Sequence, residues 1–437
     1  MDAKQAVIDI FWAGINGVKP DQLIRSSVMC TNNILAIKDK TIDLENVRDL
    51  YIIGAGKASA SIAKELEIIL GNRIKDGFIV TKYNHAVPLS YIRVMEAGHP
   101  VPDQNGLDGT KKILKIASKA GAEDLVICVL SGGGSSLLAD LPEGCSLNDL
   151  ASLNDILLKC GATINEMNCI RKHLSKVKGG LLSKAVWPAP IVSLILSDVI
   201  GDRIDVIASG PSAPDPTTFT DAVEILKKYQ IEDKIPKQFL KVLLQGLQKK
   251  REETLKEYDE IFQRTTNIVI GSNSLALQMA KEKAESIGYT AQVITSSLEG
   301  DINEVALFIA EKIRRYVKSK PGEKFCLLFG GEPTLKVTDP GKGGRNQHLA
   351  LMIAQMLEGT KEVTFLSGGT DGTDGPTDAA GAVVSSDTIH HAGMNGLDAD
   401  DYLRNFNSYD FFKREGGHLM TGPTQTNVMD LMIVLIE

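Results

Sequence analysis

The sequence predicts an α/β protein built as two domains, and three observations carry that expectation. The first is length: 437 residues exceed what one ordinary hydrophobic core organises, so two domains of roughly 200 residues are expected. The second is composition, with 43% hydrophobic and 24% charged residues, the balance of a folded water-soluble chain. The third is a recurring pattern in which a short apolar run stops at glycine or small polar residues and a helical segment follows. Short Val/Ile/Leu runs bounded by glycine are buried strands more often than helix fragments, and their alternation with helices argues for parallel sheets.

The pattern appears six times. Leu50–Ile53 runs into GAGKAS, Leu125–Leu130 into SGGGSS, and Ile191–Leu196 into SDVIGD. Asn267–Ile270 runs into GSNS, Phe325–Phe329 into GGEPTL, and Val363–Leu366 into SGGTDGTDG. Residues 218–262 break the rhythm: they are highly charged, helical in period and free of strand-to-glycine junctions. They read as helices linking two α/β units, with a boundary near 235, giving domains 1–235 and 236–437. The N-terminal segment AKQAVIDIFWAGI is amphipathic, and sequence alone leaves its packing partner open.

Bulk chemistry excludes several classes. Net charge is −7, from 48 Lys+Arg against 55 Asp+Glu, without the basic block that nucleic-acid binding would need. No apolar stretch approaches the ~18 residues of a membrane span, and the N-terminus lacks a signal-peptide layout. The six cysteines never form a CxxC pair, which points to reduced thiols and a cytoplasmic location. The seven histidines show no metal-binding spacing.

In open parallel sheets, ligands bind beyond the carboxyl ends of the strands, where all six glycine turns are expected. Glycine there lets backbone N–H groups approach an oxyanion, and a following helix adds its positive end. GAGKAS (Gly54–Ser59) begins like the dinucleotide fingerprint, but Ser59 replaces its third glycine. The acid expected at the end of the next strand is missing too, since Asp76 precedes the run Gly77–Val80. A Walker loop is also absent. What remains is Lys57, a cation placed for phosphate beside Gly54 and Gly56; the competing reading is a solvated surface lysine.

LSGGGSSLL supplies Ser131, Gly132, Gly133, Gly134 and Ser135 as a nest of donors suited to an anion. A nucleophilic serine is the weaker reading, because the hydrolase elbow's closing glycine is absent. In PGKGGRNQ (340–347), Lys342 and Arg345 beside Gly343 and Gly344 at a helix start make an anion site, with Asn346 following. Asp371, Asp374 and Asp378 in the next glycine-rich turn suit Mg²⁺, which binds through one or two carboxylates plus phosphate oxygens; Asx-turn capping competes for at least one of them. Asp198, Asp202 and Glu332 add acids at strand ends, and His99 sits in the proline-bounded turn GHPVPD.

Taken in order, GAGKAS, GHPVPD, LSGGGSSLL, LSDVIGD, ASGPSAPDPT, GGEPTL, GKGGRNQ, GGTDGTDGPTDAAGA and TGPTQTNVMDL resemble the glycerate 2-kinase family, whose C-terminal MOFRL region would span about 323–432. The motifs extend over residues 54–431, and the ordered set is far more specific than any single motif. The resemblance implies ATP- and Mg²⁺-dependent phosphorylation of D-glycerate, usually at the 2-hydroxyl. It also implies two three-layer α/β/α domains, the first Rossmann-like, with the active site in the interdomain cleft. Lys57 and Arg345 would be the catalytic cations, with Asp198 orienting the attacking hydroxyl and Asp371 or Asp374 positioning Mg²⁺. Gly54, Gly56, Ser59, His99, Ser131–Ser135, Glu332, Gly343, Gly344 and Asn346 would bind nucleotide or substrate. The expected partners are these small molecules, with a homodimer compatible. The rival reading is an NAD(P)H-dependent hydroxypyruvate reductase, against which the defective fingerprint argues.

Overall fold

A computed structural model describes residues 2–319, 322–338, 341–360 and 362–437. Pro340, which opens the PGKGGRNQ motif, lies outside the described residues. The chain divides into two compact units: one holds Leu23–Ser197 and Asp202–Ile270, the other the segment ending at Gln22, Asp198–Gly201 and Gly271–Glu437.

The first unit opens with a three-stranded antiparallel meander of β1 (Val28–Thr31), β2 (Ile34–Ile37) and β3 (Lys40–Asp43). Its main sheet contains β4 (Leu50–Ala55), β5 (Ile74–Lys82), β6 (Arg93–Ala97), β7 (Leu125–Leu130), β8 (Ile191–Leu196) and β9 (Thr265–Gly271). The order across the sheet is β6-β5-β4-β7-β8-β9, which, numbered from β4, is the doubly wound order 3-2-1-4-5-6. β4 pairs in parallel with β5 and β7, β5 with β6, and β7 with β8. Ile52, Ile53, Val126, Ile127 and Leu194 are buried; strands covered on both faces need continuous apolar runs. The Rossmann-like expectation for this half matches that strand order.

The charged segment around 218–262 does not serve as a link. Helices Phe219–Lys228 and Lys237–Leu247 pack with Leu147–Lys159 and Ile164–His173, burying Leu226, Phe239 and Leu243 against Leu153, Leu157 and Ile170. Three of these helices begin with capping boxes, Ser146/Asp149, Thr163/Glu166 and Thr218/Asp221, each satisfying N–H groups that the helix itself cannot. Because β9 then returns to the main sheet, the compact units divide at 270/271 rather than near 235.

In the second unit the order is β10-β11-β15-β12-β13-β14, with β10 (Thr290–Leu298), β11 (Phe325–Gly331), β12 (Val363–Gly369), β13 (Gly381–Ser385), β14 (His418–Leu419) and β15 (Asp430–Ile436). Here the parallel expectation is corrected: among the described residues only β10–β11 is a parallel strand pair, and β15 runs antiparallel between β11 and β12. β13 also returns antiparallel beside β12, because the short 370–380 turn leaves no room for a crossover helix. The N-terminal helix Ala3–Gly17 belongs to this unit. It buries Ala6, Val7, Ile10, Phe11, Gly14 and Ile15 on one face, and a Cβ on Gly17 would lie 2.2 Å from Met279 Cγ, so the crossing requires glycine.

All six cysteines are unpaired, and burial pushes the Cys128 thiol up to about 12. Among the described residues, no helix is long and apolar enough to cross a membrane.

Candidate functional site

In the first unit the chain winds outward from β4 through β5 and β6, then returns to β7 and winds the other way. The crevice at the carboxyl ends of β4 and β7 is therefore the topological switch point, where doubly wound sheets bind ligands. Two of the glycine turns meet there. The Lys57 N–H donates to Gly132 O (2.9 Å), the Ala58 N–H to Ser131 Oγ (3.0 Å), and the Ser131 N–H to Ala55 O (3.2 Å). Ser131 is buried and consumed in this tie. Ser59 is likewise buried and donates to Gly56 O at 2.6 Å, so both serines shape the turn. Gly54 is required by packing as well, since its Cβ would fall 2.0 Å from Val129 O.

Gly133 adopts φ +80°, and a Cβ there would lie 2.7 Å from His99 Cδ2 and 3.4 Å from Lys57 Cγ. The side chains of Lys57 and His99 thus converge over Gly133. Among the described residues no carboxylate pairs with the Lys57 ammonium. Burial, then the Lys57 and Lys82 charges, push the His99 imidazole down to about 4, so it is neutral at neutral pH. With the folded value below the unfolded one, the stability His99 contributes is present above ~6.5 and is lost as pH falls toward 4. An NMR titration should place the His99 midpoint near 4, and a midpoint near 6.5 would show that it does not sense these cations.

Behind the 131–135 turn lies a feature that sequence reasoning missed. Ala208 and Ser209 hold φ of 52° and 62°, a left-handed conformation costing a non-glycine residue about 1 kcal/mol or more. Ser209 Oγ shares a hydrogen bond with Ser135 Oγ (2.8 Å) and donates to Asn168 Oδ1 (3.1 Å). A Cβ on Gly134 would come within 2.6 Å of Ala208 Cβ. The ASGPSAP segment is therefore the support under the 131–135 turn. Asp198 follows β8, half-buried, in the loop that belongs to the second unit.

In the second unit the ends of β11 and β12 flank the start of β15, with Gly331 and Gly369 both paired to Asp430. Arg345, the first residue of helix Arg345–Met356, reaches this point. Its Nε and Nη2 donate to Asp430 at 2.6 and 3.0 Å, and its Nη1 lies 2.8 Å from Glu332 Oε1. The two carboxylates raise the guanidinium pKa above its ordinary value against the effect of burial. Arg345 is therefore a cation braced by two carboxylates. Asp430 is the partner that spacing could not show; the signal was an acid directly preceding the apolar run LMIVLI.

Asp374 is corrected as a candidate metal ligand. Its carboxylate is buried and accepts the backbone N–H groups of Asn346 (3.0 Å) and Gln347 (2.9 Å), plus both side-chain amides. It caps the helix that carries Arg345, although burial still pushes its carboxyl up to about 6. Asn346 also accepts from Ser367 Oγ (2.6 Å), so it too is structural. Gly343 and Gly344 are explained by packing: Cβ atoms there would lie 2.4 Å from Ser408 Oγ and 2.3 Å from Asp374 Cγ. Asp374→Ala should lower stability by about 3 kcal/mol, because several buried donors lose their acceptor at once; denaturant unfolding would measure it.

Asp371, the other acid the sequence offered for Mg²⁺, is half-buried. One of its oxygens accepts from Thr373, which leaves the second for a hard divalent ion. Asp371 Oδ1 and Asp430 Oδ1 lie 3.5 and 3.6 Å from the Cβ position of Gly369, so the acids gather at one end of the sheet. Among the described residues no cluster of three metal-ligating side chains exists.

Residues 6–244 match the family described as a domain of unknown function, DUF4147, and residues 325–430 match the MOFRL family. The chain is 40% identical to D-glycerate 2-kinase of Thermotoga maritima, over 99% of this chain and 98% of that one. It belongs to the glycerate 2-kinase family. Glycerate 2-kinase of Pyrococcus horikoshii is 38% identical, covering 100% and 98% of the two chains. A relative from Agrobacterium vitis, 39% identical over 88% of this chain and 86% of its own, is named a hydroxypyruvate reductase. The crystal structure of the Thermotoga maritima glycerate kinase superposes with a TM-score of 0.87 at 40% identity, covering 100% and 99% of the chains. The two-domain α/β expectation is thus met by a solved relative within the family.

Proposed function

We propose that this protein transfers the γ-phosphoryl group of ATP to the 2-hydroxyl of D-glycerate, giving 2-phosphoglycerate and ADP. The observation that carries this reading is the Lys57 ammonium, without a carboxylate partner among the described residues, standing over Gly133 at the switch point of a doubly wound sheet. A cation there, beside the Gly132 and Gly133 backbone and a neutral His99, is suited to a phosphoryl group rather than to any protein acid.

Phosphoryl transfer depends mainly on positioning and on neutralising charge over the phosphoryl oxygens. The glycerate hydroxyl oxygen forms the new bond to the γ-phosphorus, the bridging bond to ADP breaks, and the hydroxyl proton passes to solvent. Lys57 and Arg345 are the groups proposed to neutralise the transferring charge, and Asp198 to orient the hydroxyl. Arg345 is held in a fixed direction by Asp430 and Glu332, so it pays little reorganisation as charge develops. Asp371 is the residue that would hold Mg²⁺, which when bound supplies further charge neutralisation.

The reductase reading is disfavoured by the β4 turn itself. Ser59 fills the place of the third fingerprint glycine and is hydrogen-bonded inward, and Asp76 lies near the start of β5, away from the end where a ribose-binding acid belongs. Two parallel assays separate the readings: ADP release that requires D-glycerate supports the kinase, whereas NADH oxidation with hydroxypyruvate and no ATP turnover would replace it.

A further inference from the structure

Beyond the carboxyl ends of the parallel pair β10–β11, the second unit contains a cavity of about 430 Å³, within the ~300–1,000 Å³ range of small-molecule sites. Its place is set by an isolated bridge between Asp301, just past β10, and Thr334, just past β11. Ile302, Leu335, Met352, Met356, Leu403 and Phe406 provide apolar wall, while Asp301, Asn303, Lys336, Thr338, Gln355 and Arg404 provide polar edge. The His348 ring also lines the cavity and stacks on Phe406, with centroids 5.5 Å apart and planes 17° from parallel. Burial pushes this histidine down to about 4, so the stacked pair is an uncharged flat surface. The Phe406 backbone holds φ 50° and packs closely on Gly341, where a Cβ would lie 2.6 Å from the Phe406 carbonyl.

A flat aromatic wall, two thioethers and an edge carrying two amides, one carboxylate, a hydroxyl and the Lys336 and Arg404 cations match a planar heteroaromatic ring with an anionic tail better than a three-carbon acid, which has no apolar face to bury. His348 and Arg345 lie on the same helix, one turn apart, about 4.5 Å along the axis. We propose that this slot holds the purine base of the phosphoryl donor, stacked along the Phe406–His348 and methionine walls, with Asp301, Asn303 and Gln355 reading its edge. This rests on the kinase reading above and adds where the nucleotide's base is recognised.

The test uses the full chain, with ADP and inorganic tripolyphosphate as calorimetric probes. Gln355→Trp places an indole at the slot's edge, from a half-exposed position whose hydrogen bond to Asp400 is at the surface. Phe406→Leu keeps the bulk of the wall but removes its aromatic face. Both variants should bind ADP at least tenfold more weakly, bind tripolyphosphate as the parent does, and raise KM for ATP while leaving KM for D-glycerate unchanged. Parent-like ADP affinity in both variants would overturn the slot and leave the kinase standing; no ADP binding and no glycerate-dependent ATP turnover in the parent would overturn both. Photolabelling of the unaltered protein with 8-azido-ADP guards against misfolded variants: adducts within 301–303, 335–338, 348–356 or 403–406 support the slot, and adducts confined to other segments reject it.

Discussion

Lys57→Ala is expected to lower kcat by roughly 100-fold or more, the scale on which removing one preorganised charge from a transition state is felt. The same change should leave stability within about 0.5 kcal/mol, as for surface changes that break no network, because no protein carboxylate among the described residues depends on that ammonium. The combination is diagnostic. A lysine that served the fold would show the reverse, with turnover kept and the unfolding midpoint displaced. Steady-state kinetics with saturating ATP and D-glycerate, beside denaturant unfolding of the same preparations, gives both readouts. Near-normal turnover would remove Lys57 from the mechanism.

Arg345→Ala is expected to lose activity on the same scale but to behave differently in unfolding. Asp430 is 1% exposed and accepts two of the arginine's N–H groups, so truncation leaves a buried carboxylate unpaired. Since a third of the Arg345 side chain is exposed, the loss should be about 2 kcal/mol, below the ~3–5 typical of fully buried pairs. Arg345→Lys should recover part of the stability and little of the rate, because an ammonium cannot reproduce the paired geometry of the guanidinium. Parallel kinetic and unfolding measurements on the two variants check this. Full activity in Arg345→Lys would mean that charge alone, rather than its fixed direction, matters at this position.

The strands were legible in the sequence because a buried strand must be apolar throughout and must stop where the chain turns. All six apolar runs became strands, and the cation of GAGKAS stood where the switch-point rule places ligands. What stayed hidden depends on contacts between distant residues. Asp430 meets Arg345 across 85 positions of sequence, and no local pattern marks that pairing. Asp374 carries the residue type and spacing of a metal ligand, yet the N–H groups of a helix start occupy it. The parallel pattern overreached in the second unit because β15, an apolar run like the others, enters from the opposite direction between β11 and β12. The boundary near 235 was displaced for a related reason: amphipathic helices that read as a link bury their apolar faces against Leu153, Leu157 and Ile170 of the first unit.

The central claim is that the phosphoryl group goes from ATP to the 2-hydroxyl of D-glycerate. Incubation of the protein with ATP, Mg²⁺ and D-glycerate, followed by enolase without phosphoglycerate mutase, tests it most directly. Formation of phosphoenolpyruvate in proportion to ADP is the result this account predicts. ADP formed without phosphoenolpyruvate would contradict it, placing the phosphate on the 3-hydroxyl or on another acceptor.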